Sequence, residues 1–482
     1  LPVVEFYHKS GEMARLKLRQ SKNILLLFRY CYGILLTTVG AFGVTGCDLF
    51  QPAGEATGAS ATLEVALFEG GYGIGWHSDA AALWSTQQPS GGVGAVVWGD
   101  PRVREKLKPR FLRGNPPDLM QAPYMPIWLL VTGGKLETFN DVLAMPGYGG
   151  AGSWEEQFVP GTLDTYRTDG KVYGIPSAFG AWTCWYDARL FREHGWLPPA
   201  TWEEFMALCG AIESAGIAPL AFQGKYPVYA WWTLVTLIQR CGGLEAINRI
   251  NALEPGAFQH PDVVRAAGLL QDMARRYFQP GALSMTHTES QLQFVTGKAA
   301  MVFCGLWLYN EMRSNVPETF EMRCFNLPSV AGGKGNPKLF NGFGTEYFFV
   351  PSEGDHPEAA KDLVRFMVSL NQAPGMAERI GVISPLKGGT PRDRVAPPLQ
   401  SALDMIEGAD GIFGERVREL LIGWTLEAML PGLARLLRGE STPAEFCAAL
   451  DAGIAEAVAA PDRIIPSHQP YDPARYGEGA SQ

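Results

Sequence analysis

Residues 147–152 read GYGGAG, the GxGxxG spacing that lets a backbone approach a dinucleotide's phosphates. That chemistry needs a strand before the string and a helix opening on it. Here Met145-Pro146 precedes and SWEEQF follows, so the string reads as a loop and implies no cofactor. A second run, Gly70-Gly71-Tyr72-Gly73-Ile74-Gly75, lacks the spacing and the later acidic residue. It reads as a flexible turn at the carboxyl end of a strand, where ligands bind in parallel sheets. The sequence holds no GxSxG, no HExxH and no phosphate-binding loop. Its seven histidines (His8, His77, His194, His260, His287, His356 and His468) are isolated, and read as surface or capping residues. Cys184, Cys209, Cys241, Cys304, Cys324 and Cys447 form no CxxC pair and lie near no histidine at metal-ligand spacing. They read as small buried residues, and no metal is implied. Acidic residues are plentiful, but nothing singles out a facing pair of the kind that cleaves glycosides.

Binding is therefore the better theme. Of 482 residues, 13 are Trp, 16 Tyr and 25 Phe. A core absorbs most of them, but an indole N–H wants a partner, so the tryptophan surplus points to a half-wet binding surface. The formal charge is −9. Lys9, Arg15, Lys17, Arg19, Lys22 and Arg29 against Glu5 and Glu12 give the first 46 residues +4, leaving −13 for the remainder. An acidic body without a basic patch argues against nucleic acid and against a polyanionic ligand.

The first 46 residues have the three parts of an export signal. A basic stretch (Lys9 to Lys22) leads into the apolar run Ile24 to Val44, and small residues lead into Cys47. The run is long enough to span a membrane, but Arg29 interrupts it. Val44-Thr45-Gly46-Cys47 resembles the lipobox of bacterial lipoproteins. The resemblance implies that Cys47 becomes the mature N-terminus, carrying more than one acyl chain and holding the protein at the membrane. Residues 47–61, rich in Gly, Ala, Ser and Thr after Cys47, read as a tether.

The elements that follow alternate. TLEVALF is a strand with Leu63, Val65 and Leu67 on one face; a helix runs from about Trp76 to Gln88; VGAVVWG (93–99) is a second strand. PRVREKLKPRFLRG is a helix despite Pro109, and DLMQA a short third strand. This order predicts a parallel, doubly wound α/β sheet. Asp187 caps a helix that stops at Gly195, and Thr201 with Glu204 forms a capping box. A helix over 288–296 ends at Gly297, and KAAMVFCG is a buried strand. TEYFFVP (345–351) is another strand, with a helix opening at Pro357. From Pro397 to Ala460 the chain is helical, and the tail 461–482 is expected to be poorly ordered.

The string 169–205, DGKVYGIPSAFGAWTCWYDARLFREHGWLPPATWEEF, carries the most information. A D-G-K-x-Y-G-x-P turn, an aromatic segment, a helix entered by Tyr186-Asp187, then P-x-T-W-x-E-F follow one another. With GNPPD (114–118), FVTGKAAMVFCGLW (294–307) and FGTEYFFVPSEGDHPEAAKDLVRFM (343–367), they resemble the bacterial extracellular solute-binding proteins of carbohydrate uptake. Asp187 stands where that family often has Asn, and Trp185 before Tyr186 is a second departure. The likeness spans about 62–460 and extends somewhat to the branch that binds N-acetylglucosamine or its dimer.

The resemblance implies two α/β lobes joined by crossing strands, a type II binding-protein fold that closes on a sugar. Lobe 1 would comprise 62–177 and 335–385, and lobe 2 178–334 and 386–460. The partners implied are a carbohydrate ligand and the permease subunits of an ATP-driven importer. The protein would be an exported, lipid-anchored monomer facing the periplasm or cell exterior, with no enzymatic activity. Positions matching the family place Trp182, Tyr229, Trp231, Trp232, Trp307 and Trp424 as candidates to stack on a sugar face. Glu69, Asp118 and Glu346 are candidates for its hydroxyl rim. The alternatives are an anchored polysaccharide-degrading enzyme and a binder of a solute such as glycerol-phosphate, which would need basic residues along the cleft.

Overall fold

The computed structural model describes residues 61–70, 72–459 and 465–478. The export signal, Cys47 and the tether lie outside the described residues. Among the described residues, no helix is long and apolar enough to cross a membrane.

Strand Ala61–Phe68 pairs in parallel with Val93–Asp100 on one side and Leu119–Met120 on the other. Leu63, Val65 and Leu67 face a core shared with Trp76, Ala80 and Trp84 of helix Gly75–Thr86. Leu363, Val364 and Met367 of helix Pro357–Met367 close that core, so its residues come from 63–178 and 348–386. The period-two and period-3.6 patterns thus meet in one apolar layer.

A second sheet orders its strands Gly411–Phe413, Leu339–Phe348, Ile175–Asp187, Ala299–Gly305 and Ala218–Ala221, with Met322–Phe325 also pairing with Ile175–Asp187. Two of these strands are long and run antiparallel between the cores. Ile175 and Ala178 belong to the first core, whereas Trp182 and Trp185 pack in the others. In the partner strand Phe348 belongs to the first core and Leu339 and Phe340 to the others. The register between them is constant from Gly342↔Ala181 to Phe348↔Ile175. The molecule is two-lobed, and these strands cross between the lobes.

Local signals hold. Asp187 Oδ1 accepts from Arg189 N at 3.0 Å, and Gly195 ends that helix at φ 69°. Thr201 and Glu204 form the reciprocal capping box of Trp202–Ser214. The Asp169-Gly170 pair, both at positive φ, turns a hairpin between Arg167–Thr168 and Lys171–Val172. Residues 147–152 are indeed loop and turn. The six cysteines among the described residues are buried and unpaired.

Two expectations differ. His77 is neither surface nor cap: it is buried beside Trp76 and Phe348 with both ring nitrogens unbonded, and burial lowers its pKa to about 4. The tail is ordered over 465–478. Glu478 is buried; Oε1 accepts from Gln239 Nε2 (2.6 Å) and Asn336 N (2.9 Å), and Oε2 from Leu244 N. A carboxylate there meets free N–H groups where Gly243, at φ 68°, breaks helix Val228–Asn251.

Candidate functional site

A cleft of about 870 Å³ opens between the lobes, within the range of about 300–1,000 Å³ usual for small-molecule sites. One wall comes from strand ends: Phe68 and Tyr72 after the first strand, Ala122, Pro123 and Tyr124 after the third. The lining also carries Trp232, Trp307 and Glu311, with Phe343 and Glu346 from the strand Leu339–Phe348. Tyr72 and the run DLMQAPY thus supply cleft residues from the carboxyl ends of parallel strands.

The aromatic wall is built from three elements. Trp232 stands in the first turns of Val228–Asn251, and its ring is nearly parallel to Phe343 (centroids 6.0 Å, 14°). Trp307 follows strand Ala299–Gly305, 5.9 Å from Trp232. A side chain on Gly305 would overlap the Trp307 ring, so the glycine makes room for that indole. Tyr124, half exposed at φ 61°, offers a further ring to the open cleft.

Two carboxylates interrupt this wall. Glu346 sits at φ 50°, a left-handed conformation that costs a non-glycine residue about 1–3 kcal/mol and is sustained by its surroundings. Gln121, buried after the third strand, donates Nε2–H to the Glu346 carbonyl at 2.8 Å. Burial raises the Glu346 carboxyl to about 8. Glu311, on helix Leu308–Met312, accepts from Gln291 Nε2 at 2.6 Å; burial raises its pKa, opposed by that bond and by His287. The Tyr72 phenol is pushed well up by burial, then by Glu346 and Glu311.

Of the residues singled out in the sequence, Trp232, Trp307 and Glu346 line the cleft. Tyr229 packs behind them, 5.8 Å from Trp182 and 5.5 Å from Trp232. Trp182 is fully buried, with its indole N–H on Thr233 Oγ1 at 2.9 Å. Trp231 points into the helical core and donates to Glu415 Oε1 at 2.9 Å. Trp424 is buried too and donates to the Leu450 carbonyl at 3.0 Å. Glu69 is exposed and off the cleft wall, and Phe68 takes the inward position. Asp118 is buried away from the cleft: Oδ2 accepts from Glu64 N and Oδ1 from His356 N, both at 2.7 Å. It ties the first strand to the start of helix Pro357–Met367.

Phe68, Tyr72, Tyr124, Glu311 and Phe343 were not singled out. Tyr72 was signalled by its place in the glycine turn; the others lie in segments where no periodicity selects a face. The fold also gathers Arg167, Arg416, Arg418 and Arg475 into the cleft lining, although they are scattered in sequence, and Arg418 lies over the Trp232 ring at 5.6 Å. Arg418 pairs with Glu415 and Glu419, and Arg167 with Glu155 and Asp164. Arg416 is held by the Asn251, Pro466 and Ser467 carbonyls. Among the described residues, no group of His, Cys, Asp and Glu could hold a metal ion.

The profile of the bacterial extracellular solute-binding protein family matches residues 87–372. The diacetylchitobiose binding protein NgcE of Streptomyces coelicolor is 26% identical over 364 residues, 74% of this chain and 76% of its own. The multiple sugar-binding protein of Streptococcus mutans is 24% identical over 217 residues, 42% of this chain and 49% of its own. Among solved structures, a chitin oligosaccharide binding protein superposes with a TM-score of 0.64 at 22% identity, covering 79% of this chain and 93% of its own. The binding protein RafE in complex with raffinose does so with 0.65 at 19% identity, covering 83% and 100%. This chain belongs to the bacterial extracellular solute-binding protein family.

Proposed function

We propose that this protein captures a mono- or oligosaccharide between its lobes and delivers it to the permease of an ATP-driven importer. The observation that carries the reading is the wall of Trp232, Trp307 and Phe343 interrupted by Glu311 and Glu346. A sugar has an apolar C–H face and a hydroxyl rim, and flat rings beside carboxylates meet both. The relatives' names, which specify diacetylchitobiose, chitin oligosaccharide and raffinose, support the same class of ligand.

Closure follows from where the parts sit. Phe68, Tyr72 and Tyr124 belong to one lobe and Trp232, Trp307 and Glu311 to the other, taking lobe 1 as 62–177 with 335–385. A ligand that touches both walls stabilises the closed state, because only differential affinity shifts that equilibrium. The crossing strands Ile175–Asp187 and Leu339–Phe348 would carry the bending. Anchoring through Cys47 outside the cell membrane would keep the loaded protein beside its permease.

A thermal-shift screen against mono- and oligosaccharides tests the reading. A sugar should raise the melting temperature and change tryptophan fluorescence, with the sugar recovered intact. Hydrolysed glycan without reversible binding would replace this reading with the degrading enzyme.

A further inference from the structure

Glu346 interrupts one of the two long strands that cross between the lobes. Pairing of Leu339–Phe348 with Ile175–Asp187 runs through Thr345↔Ala178 and resumes at Tyr347↔Pro176, and Glu346 between them stands at φ 50°. Gln121 holds its carbonyl at 2.8 Å, which fixes the kink, and the residue lines the cleft. Among the described residues, its carboxyl takes no hydrogen bond and no ion pair. A buried carboxylate needs a cation or several donors, whereas the protonated acid needs neither. Burial alone therefore moves this group, up to about 8, and at neutral pH it is an acid rather than an anion.

The charged and titratable groups on the surrounding elements leave that state intact. Arg418 lies over Trp232 but is committed to Glu415 and Glu419. Glu311 is raised by burial, opposed by the Gln291 hydrogen bond and by His287. Tyr72 is pushed well above the usual phenol range by burial, then by Glu346 and Glu311, and so stays neutral. Tyr124 is half exposed, and Asp118 is turned to the Glu64 and His356 N–H groups. On the strand itself, Tyr347 donates to the Thr162 carbonyl.

A carboxylate only accepts hydrogen bonds, whereas the acid donates one and accepts others. A sugar presents hydroxyls, which do either, and ring, glycosidic or amide oxygens, which only accept. An oxygen of the second kind repels a carboxylate and bonds to an acid.

We propose that Glu346 is a specificity-determining residue that engages the sugar as a neutral acid, donating its O–H to a ligand oxygen that bears no hydrogen. The inference rests on the sugar-binding reading above and adds the kind of ligand atom met at this position. Ionising Glu346 removes the donor, so binding should be level at lower pH and weaken as pH rises through about 8, with a proton taken up on binding.

The experiment is a calorimetric titration of the full chain with diacetylchitobiose and, in parallel, raffinose, from pH 6.5 to 9.5. The dissociation constant should rise about thirtyfold over that range, nearly all of it above pH 7.5. At pH 8.5, buffers of different ionisation heat should report about three-quarters of a proton taken up per sugar bound. In Glu346→Ala, binding at pH 6.5 should weaken tenfold or more. Glu346→Gln, which keeps a donor and an acceptor in the same place, should recover most of that loss and bind equally at pH 6.5 and 9.5, with no proton uptake. Glu346→Gln binding as weakly as Glu346→Ala, or wild-type binding that stays level to pH 9.5 without proton uptake, overturns the acid role and leaves sugar binding standing. Binding of neither sugar at any pH, with no response to longer oligosaccharides, overturns the sugar reading as well.

Discussion

At the residue scale, neighbours in sequence have opposite fates. Trp231 and Trp232 are adjacent on a helix and so point about 100° apart. One is sealed in the core on Glu415 and the other faces the cleft. AWWTLV is apolar on every side, so its periodicity cannot say which indole is which. Replacing Trp232 or Trp307 with Ala should weaken sugar binding by about 2 kcal/mol or more, roughly thirtyfold, as for buried aromatic anchors generally. Isothermal titration reads this directly, and an unchanged affinity would remove that ring from the site. Asp118 was legible as important but not for what it does. Asp118→Ala should cost about 2–3 kcal/mol of stability by releasing two charge-assisted hydrogen bonds. Urea denaturation would show that loss, and sugar affinity of the folded fraction should stay within twofold. His77 adds a pH signature. Its folded pKa, about 4, lies below the unfolded value near 6.5, so the unfolded chain binds more protons in between. Stability should therefore fall as pH drops from 6.5 to 4, by about 3 kcal/mol in all from this group. His468, lowered likewise by burial and Arg416, acts in the same window, so His77→Phe should flatten the profile only in part.

At the element scale, the strands and caps were readable because each has a local cause. Asp187, Thr201 with Glu204, and Gly195 mark helix ends through their own side chains or backbone freedom. The crossing strands were harder. Ile175–Asp187 is buried almost throughout, so no alternation reveals which residues face a cleft. Trp182 illustrates the consequence: an aromatic in the matching segment, yet 0% exposed and hydrogen-bonded to Thr233. Gly305, by contrast, ends its strand where Trp307 folds back over it. Gly305→Ala should displace that indole and weaken sugar binding about tenfold while leaving the strand paired, since backbone close approach is what glycine supplies here. Tryptophan fluorescence of the empty protein should shift as well; an unchanged spectrum with full affinity would show that the ring tolerates the methyl.

At the scale of the whole molecule, the C-terminal segment overturns the expectation of a loose tail. Polar, proline-containing PSHQPYDPARYGE (466–478) has no periodicity, so its order arises from partners that only the fold supplies. Asp169 N–H donates to Ser467 Oγ at 3.1 Å, next to the Asp-Gly hairpin, and the Ser467 carbonyl accepts from Arg416 at 3.0 Å. Tyr471 and Asn248 exchange two hydrogen bonds of 2.8 Å, and Tyr471 also accepts from Gly414 N at 2.9 Å. Glu478 then locks the end beneath the break at Gly243. The segment lines the cleft and hydrogen-bonds both the hairpin at 167–172 and the body around Arg416, a link that should restrain the closure proposed above. Ending the chain after Ala459 should therefore have two effects. The melting temperature should fall, because buried N–H groups of Leu244 and Asn336 and the buried Arg416 lose acceptors. The sugar-free protein should also expand, with a larger radius of gyration by small-angle scattering, and sugar should close it with a larger change than in the intact chain. Glu478→Gln separates the two effects. It weakens the lock at Gly243 but keeps Ser467 on the hairpin, so it should lower the melting temperature without changing the sugar-free radius. A truncated chain with unaltered scattering would show that the segment stabilises the fold without restraining the lobes.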